Sequence, residues 1–154
     1  MLTYNLTTSI GAYAFYNCYG FNGPLTLSIH LPTIEPYTFY NCTGITGKIF
    51  VSDSVTSIGE YAFYNCVSLN ESLTIGSSVE IVGQYAFCNC KGLTGPLKIN
   101  GKLKSIEKFT FCNCSNLKSE LKLPDSVEFI DVNAFTDCKS LTGDLNIPPY
   151  LEKI

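Results

Sequence analysis

Apolar residues in this chain return every 24 positions, and they do so six times. One column holds Phe15, Phe39, Phe63, Phe87, Phe111 and Phe135. Another holds Ile10, Ile34, Ile58, Val82, Ile106 and Ile130, and Ile154 begins its next turn. A third runs Leu25, Ile49, Leu73, Leu97, Leu121, Leu145, with a fourth two residues on at Leu27, Val51, Ile75, Ile99, Leu123 and Ile147. Six copies without insertion or deletion define a repeat array. Within a copy the period changes. "SLTIG" and "PLKIN" alternate apolar and polar at period two, which predicts a short strand with one face inward. In "IGEYAFYNC", Ile58, Ala62, Phe63 and Cys66 fall at i, i+4, i+5 and i+8. That spacing predicts a helical turn or two pressing one side inward. Gly, Ser, Asn and Pro collect between these pieces and make the corners.

A single unit cannot fold alone. The gain from burying its apolar side chains at best matches the entropy lost in ordering its backbone. Stacking supplies the missing cover, with identical columns meeting like against like, so the array is a solenoid. Residues 1–154 read as one domain of six repeats plus a partial seventh. Neither end carries a polar capping segment of the kind solenoids use. The expectation is a piece of a longer array, the other reading being ends that dock onto further copies.

The stretches "LTIGSSVEIVGQYAFCNCKGLTGPLKI" and "LKLPDSVEFIDVNAFTDCKSL" (121–141) resemble the leucine-rich repeats of BspA-like surface antigens, whose unit reads roughly L-x-I-P-x-S-V-x-x-I-G-x-x-A-F-x-x-C-x-x-L. The resemblance covers all six copies. It implies an α/β solenoid, a right-handed leucine-rich-repeat superhelix with short parallel strands on the concave face and short helical or irregular turns on the convex face. It also implies exposure at the cell surface or secretion, and a role in adhesion or in binding host proteins, without catalytic residues. One departure concerns the corner after the strand: proline stands there only at Pro124 and Pro148, whereas Gly76 and Asn100 occupy it elsewhere.

Composition narrows the partners. The net charge is −3, and the ten basic residues are all lysine, which is not the footprint of a nucleic-acid-binding protein. No apolar run is long enough to span a bilayer, and no signal peptide is visible. The lone histidine, His30, lies in a corner column with no nucleophile and carboxylate arranged around it. No enzyme activity, cofactor or metal is expected.

Several columns remain as candidates for chemistry. Cys18, Cys42, Cys66, Cys90, Cys114 and Cys138 form a ladder whose side chains point the same way, which makes them small core hydrophobes rather than disulfides or zinc ligands. Cys88 and Cys112 replace the tyrosines of earlier repeats and are expected near the surface in adjacent rungs. They either pair as a disulfide in an oxidising compartment or stand as free thiols. A zinc site shared with Cys90 and Cys114 would require a core cysteine to turn outward. Tyr13, Tyr37, Tyr61 and Tyr85, and beside them Tyr16, Tyr40 and Tyr64, make bands that either pack sideways or recognise a partner. The outward column of the expected strand face is Thr26, Phe50, Thr74, Lys98, Lys122 and Asn146. Phe50 is its one large apolar member, and Lys98 and Lys122 belong to a local lysine cluster diluted by Glu107 and Glu120. Glycosylation-type sequons start at Asn5, Asn41, Asn70 and Asn113. Of these, Asn41 and Asn113 belong to a column directly before the core cysteine and read as structural.

Two functions fit these features. One is a non-enzymatic adhesion module binding proteins or glycoconjugates of a host or matrix surface through solenoid faces. The alternative is a self-assembling scaffold stacked end to end.

Overall fold

The computed structural model describes residues 6–154 and contains eight strands, all very short. They are β1 (Thr33–Ile34), β2 (Ile49–Phe50), β3 (Ser57–Ile58), β4 (Leu73–Ile75), β5 (Ile81–Val82), β6 (Leu97–Ile99), β7 (Ser105–Ile106) and β8 (Phe129–Ile130). All pairings are parallel and join positions 24 residues apart, so each rung lies on the next in register. A first ladder is built from β2, β4 and β6, the period-two strands. A second ladder contains β1, β3 and β5, followed by the separate pair β7 and β8. This is the stacked leucine-rich-repeat architecture.

The helical turn predicted for "IGEYAFYNC" is not a helix, and no helix occurs among the described residues. Two residues per rung, four positions apart, sit in the left-handed region: Tyr61 at φ 53° and Asn65 at φ 59° in the third copy, with equivalents in every other. A helix cannot pass through a positive φ. The segment instead alternates its N–H groups between two kinds of partner. Ala62, Tyr64 and Cys66 donate to carbonyls three residues back, at 3.4, 3.2 and 3.3 Å. Tyr61, Phe63 and Asn65 donate across to Gln84, Ala86 and Cys88 of the next rung, at 2.9, 2.8 and 2.9 Å. The turn is therefore a third inter-rung ladder. A second difference is that Ile58, read as the start of the helical turn, lies in β3.

The columns meet as expected in the interior. Phe39, Phe63, Phe87 and Phe111 are fully buried, with their rings stacked face to face at 5.2–5.7 Å. Each stacked pair contributes about 0.5–1.5 kcal/mol beyond its buried area. Thr38 and Thr110 replace the inward alanine of other rungs and remain buried because their hydroxyls donate to the carbonyls of Glu35 (2.6 Å) and Glu107 (2.8 Å).

Candidate functional site

The first ladder aims Phe50, Thr74 and Lys98 outward in one row, since Phe50 pairs with Thr74 and Thr74 with Lys98. Alternation places Ile49, Leu73, Leu97, Ile75 and Ile99 in the core and their neighbours in solvent. Phe50 is 53% exposed, a large apolar side chain left on the surface. Lys122 is exposed in the next rung and pairs with Glu120 at 3.1 Å. Between Pro96–Asn100 and the chain at Lys118, Ser119, Glu120 and Lys122 lies a groove of about 490 Å³.

The second ladder presents exposed residues that periodicity did not single out. Ile81 is 56% and Phe129 40% exposed, each beside an inward partner in its own strand. Their column also holds Thr33, Ser57, Ser105 and Lys153, so a polar column with two apolar members was the available signal.

On the turn face, Tyr13, Tyr37, Tyr61 and Tyr85 stack at 4.6–4.9 Å, and Phe109 continues the stack at 4.7 Å. Phe109 was not recognised as part of this column from the sequence. Tyr16, Tyr40 and Tyr64 form a second stack at 4.7 and 5.0 Å. The rings cover one another and present their edges to solvent, with Tyr16 at 42% the most exposed of that stack. Burial raises the hydroxyl pKa of Tyr37, Tyr40 and Tyr61, and neighbouring tyrosines add to the effect, with Glu60 also acting on Tyr37 and Tyr61. Beside them the asparagines form an amide ladder: Asn41 Nδ2 donates to Asn17 Oδ1 at 3.0 Å, Asn65 to Asn41 at 2.6 Å, and Asn113 to Asn89 at 2.7 Å. Asn89 donates instead to the Tyr64 hydroxyl at 3.1 Å. The sequons at Asn41 and Asn113 thus lie inside this ladder. Asn70 is exposed and accepts from the Gly47 N–H at 2.9 Å, and Asn5 lies outside the described residues.

The cysteine column points one way. Cys42, Cys66, Cys90 and Cys114 are buried, and Cys18 and Cys138 are half-buried on the outer rungs. Each thiol from Cys42 to Cys138 donates to the phenylalanine carbonyl 27 residues earlier, at 3.0–3.2 Å. Burial pushes the thiols of Cys42 and Cys138 up to about 11, and those of Cys66, Cys90 and Cys114 well above the ordinary range. Cys88 departs from expectation: it is buried, whereas Cys112 in the same column is half-buried. Cys88 sits between Tyr64 and Cys112, whose rungs cover it from both sides. Both are free thiols, and burial together with the neighbouring Cys112 pushes the Cys88 thiol up to about 12. Among the described residues no group of three or more His, Cys, Asp and Glu is arranged to hold a metal ion. Nor do they contain a helix long and apolar enough to cross a membrane.

In-register parallel strands, an inward phenylalanine and cysteine per rung, and asparagine-bearing turns define the class: a leucine-rich-repeat protein. The chain belongs to the BspA type leucine rich repeat region family, which matches six copies over residues 8–142. It is similar to solved bacterial structures. The T. pallidum leucine rich repeat protein is 25% identical with a TM-score of 0.68, over 85% of this chain and 70% of that one. A leucine-rich repeat protein from Bacteroides ovatus is 26% identical with a TM-score of 0.65, over 92% of this chain and 46% of that one. A leucine rich cell surface protein from Faecalibacterium prausnitzii is 26% identical with a TM-score of 0.54, over 86% of this chain and 42% of that one. The chain therefore spans less than half the length of the last two. No curated protein matches it.

Proposed function

We propose that the chain is a non-enzymatic protein-binding module of a cell-surface or secreted antigen, engaging a host or matrix protein through its lateral faces. The observation that carries this reading is the outward row Phe50, Thr74, Lys98 on an in-register ladder, with Phe50 and Lys98 exposed and Lys122 beyond them. Solenoids bind along such extended surfaces, and an apolar anchor with cations further along the same row gives both hold and orientation. The resemblance of the F. prausnitzii cell surface protein supports the location. The test is surface plasmon resonance of the chain over a panel of immobilised extracellular-matrix proteins. Binding to at least one, weakened by Phe50→Ala and by Lys98→Ala with Lys122→Ala, is the expected result. Binding that these variants leave intact, but that Tyr16→Ala, Tyr40→Ala or Tyr64→Ala weakens, moves the site to the turn face.

A second reading, a scaffold stacking end to end, is favoured by two apolar hollows on the outermost rungs. One, of about 450 Å³, includes Ile10, Phe15, Phe21, Leu25 and Leu27; the other, of about 370 Å³, includes Leu121, Phe135, Leu141 and Ile147. Light scattering across protein concentration separates the two readings: a constant monomer mass excludes the scaffold.

A further inference from the structure

Three of the chain's four sequons lie within the described residues, and the fold treats them in two ways. Asn41-Cys42-Thr43 and Asn113-Cys114-Ser115 are held shut. Their middle residues, Cys42 and Cys114, are fully buried and donate their thiols to the Phe15 and Phe87 carbonyls at 3.0 and 3.2 Å. Their amide nitrogens are taken up in the asparagine ladder, Asn41 Nδ2 on Asn17 Oδ1 at 3.0 Å and Asn113 Nδ2 on Asn89 Oδ1 at 2.7 Å. Asn70-Glu71-Ser72 is open. Asn70 and Glu71 are exposed, in the bend that leads into β4. Asn70 Oδ1 accepts from the N–H of buried Gly47 at 2.9 Å, which holds the amide in one orientation. Its Nδ2 has no hydrogen-bond partner among the described residues. The same column holds Asn22, Thr46, Thr94, Lys118 and Thr142 in the other copies, and none of these begins a sequon.

Transfer of a sugar to asparagine needs an amide nitrogen that can reach the donor and a hydroxyl two residues on that the transferase reads, both on an accessible surface segment. We propose that Asn70 is the acceptor of an N-linked glycan, and that Asn41 and Asn113 carry none in the folded protein. The co-reactant is a diphosphate-activated sugar, and the catalyst is a sequon-reading glycosyltransferase. Asn70 Nδ2 attacks the anomeric carbon of the donor. A C–N bond replaces the C–O bond to the diphosphate, the diphosphate leaves with that electron pair, and the nitrogen gives up one proton to the transferase. The product is still an amide with Oδ1 in place, so the bond from Gly47 is kept while the glycan extends from the corner into solvent. The proposal rests on the reading of the chain as a cell-surface or secreted antigen and adds a covalent group to it.

The test takes the full folded chain with Asn5→Gln, which leaves these three sequons, and treats it with a soluble sequon-reading glucosyltransferase and UDP-glucose. Free peptides spanning 37–47, 66–76 and 109–119 give the rate at each sequon without the fold. Peptide mapping by mass spectrometry reads the hexose at each asparagine. In the folded chain Asn70 should react within about tenfold of its peptide rate, because an exposed corner opens at almost no cost. Asn41 and Asn113 should react at least about a hundredfold more slowly than their peptides, because each waits for local unfolding of the ladder. Ser72→Ala leaves the Asn70 amide in place and should abolish the product. A folded chain unmodified at Asn70, hexose on Asn41 or Asn113 at the peptide rate, or hexose on Asn70 in Ser72→Ala each overturns the proposal. The same chain secreted from eukaryotic cells, with its glycans released by amidase in heavy-oxygen water, should carry the label at Asn70 and at neither Asn41 nor Asn113. An unlabelled Asn70 there overturns the proposal too. If Asn70 is modified while no matrix protein binds, the site stands and the binding-module reading falls; matrix binding by a chain that stays unmodified separates them the other way.

Discussion

On the turn side of the molecule, stacking and hydrogen bonds run without a gap from Tyr13 to Thr136. On the strand side, the first ladder holds only through β2, β4 and β6 and is absent on the rungs to either side. Both arrays repeat at the same interval, so the difference lies in what each asks of its residues. A strand ladder depends on an N–H at fixed positions, and Pro124 has none to offer the Ile99 carbonyl. The turn ladder draws its inter-rung donors from tyrosine, phenylalanine and asparagine, none of which lacks an N–H. Their side chains stack in parallel columns as well, so each rung is held twice. The turn face is the spine of the solenoid, and the strand face is where variation is tolerated.

The sharpest way to break this contrast is at Phe63, which is fully buried between Phe39 and Phe87 with ring centroids 5.2 Å from each. Phe63→Ala should cost about 3–5 kcal/mol, read as a fall in the urea unfolding midpoint. Thr74→Ala, facing outward on the strand ladder, should stay within about 0.5 kcal/mol. Similar losses for both would remove the distinction between spine and face.

Asn65 tests the turn backbone. Its φ of 59° and its amide bond to Asn41 are separate contributions. Asn65→Ala loses both, about 1–2 kcal/mol for the left-handed conformation alone. Asn65→Gly keeps the conformation and loses the amide bond, worth about 0.5–1.5 kcal/mol. Alanine should therefore destabilise more than glycine in thermal melts; the opposite order would mean the conformation is not what selects asparagine there.

That asparagine column also marks the limit of what the chain revealed before its structure. The interval, the inward columns and the strands at 73–75 and 97–99 follow from hydrophobic spacing, because spacing reports which side of the backbone faces the core. Spacing does not report the sign of φ. Ile58, Ala62, Phe63 and Cys66 have helix-like intervals, yet the path between them is a chain of turns through left-handed Tyr61 and Asn65. An asparagine before five of the six column cysteines, with Asp137 before Cys138, was the available hint, since both residues tolerate that region; tyrosine gave none. The outward row Phe50, Thr74, Lys98 was legible from alternation, and Pro124 was visible as a departure. The Leu97 N–H bond to the Ser119 hydroxyl and the burial of Cys88 depend on how neighbouring rungs meet, which a single rung's sequence does not carry.

The thiols give a smaller, pH-dependent version of the same comparison. Folding raises their pKa above the ordinary 9.0, to about 11 for Cys42 and Cys138 and about 12 for Cys88. The unfolded chain therefore releases these protons first. Their contribution is fully present below pH 9 and is lost as pH rises through the folded values, so the unfolding midpoint should fall between about pH 9 and 12 and stay flat from 7 to 8. Cys42→Ala should reduce that slope; an unchanged slope would mean that Cys42 does not contribute to it. At neutral pH an alkylating reagent should label half-buried Cys18, Cys112 and Cys138 before buried Cys66, Cys90 and Cys114, as read by peptide mass spectrometry. Oxidised glutathione should join Cys88 to Cys112, the two thiols giving up two protons and two electrons and the reagent being reduced to two thiols. A linked peptide pair would establish the bond.

The smallest effect is expected at Tyr40, and it decides what the tyrosine bands are for. Its ring is held between Tyr16 and Tyr64 at 4.7 and 5.0 Å. Tyr40→Phe keeps the stack and removes the hydroxyl, so stability should change by less than about 0.5 kcal/mol. Phe109 already shows that this face accepts phenylalanine in the neighbouring stack, 4.7 Å from Tyr85. If Tyr40→Phe leaves matrix-protein binding unchanged as well, the tyrosines are there for packing, and recognition belongs to the strand face. If binding weakens with stability intact, the hydroxyl edge is itself a contact surface, and the spine of the solenoid also serves as one of its binding faces.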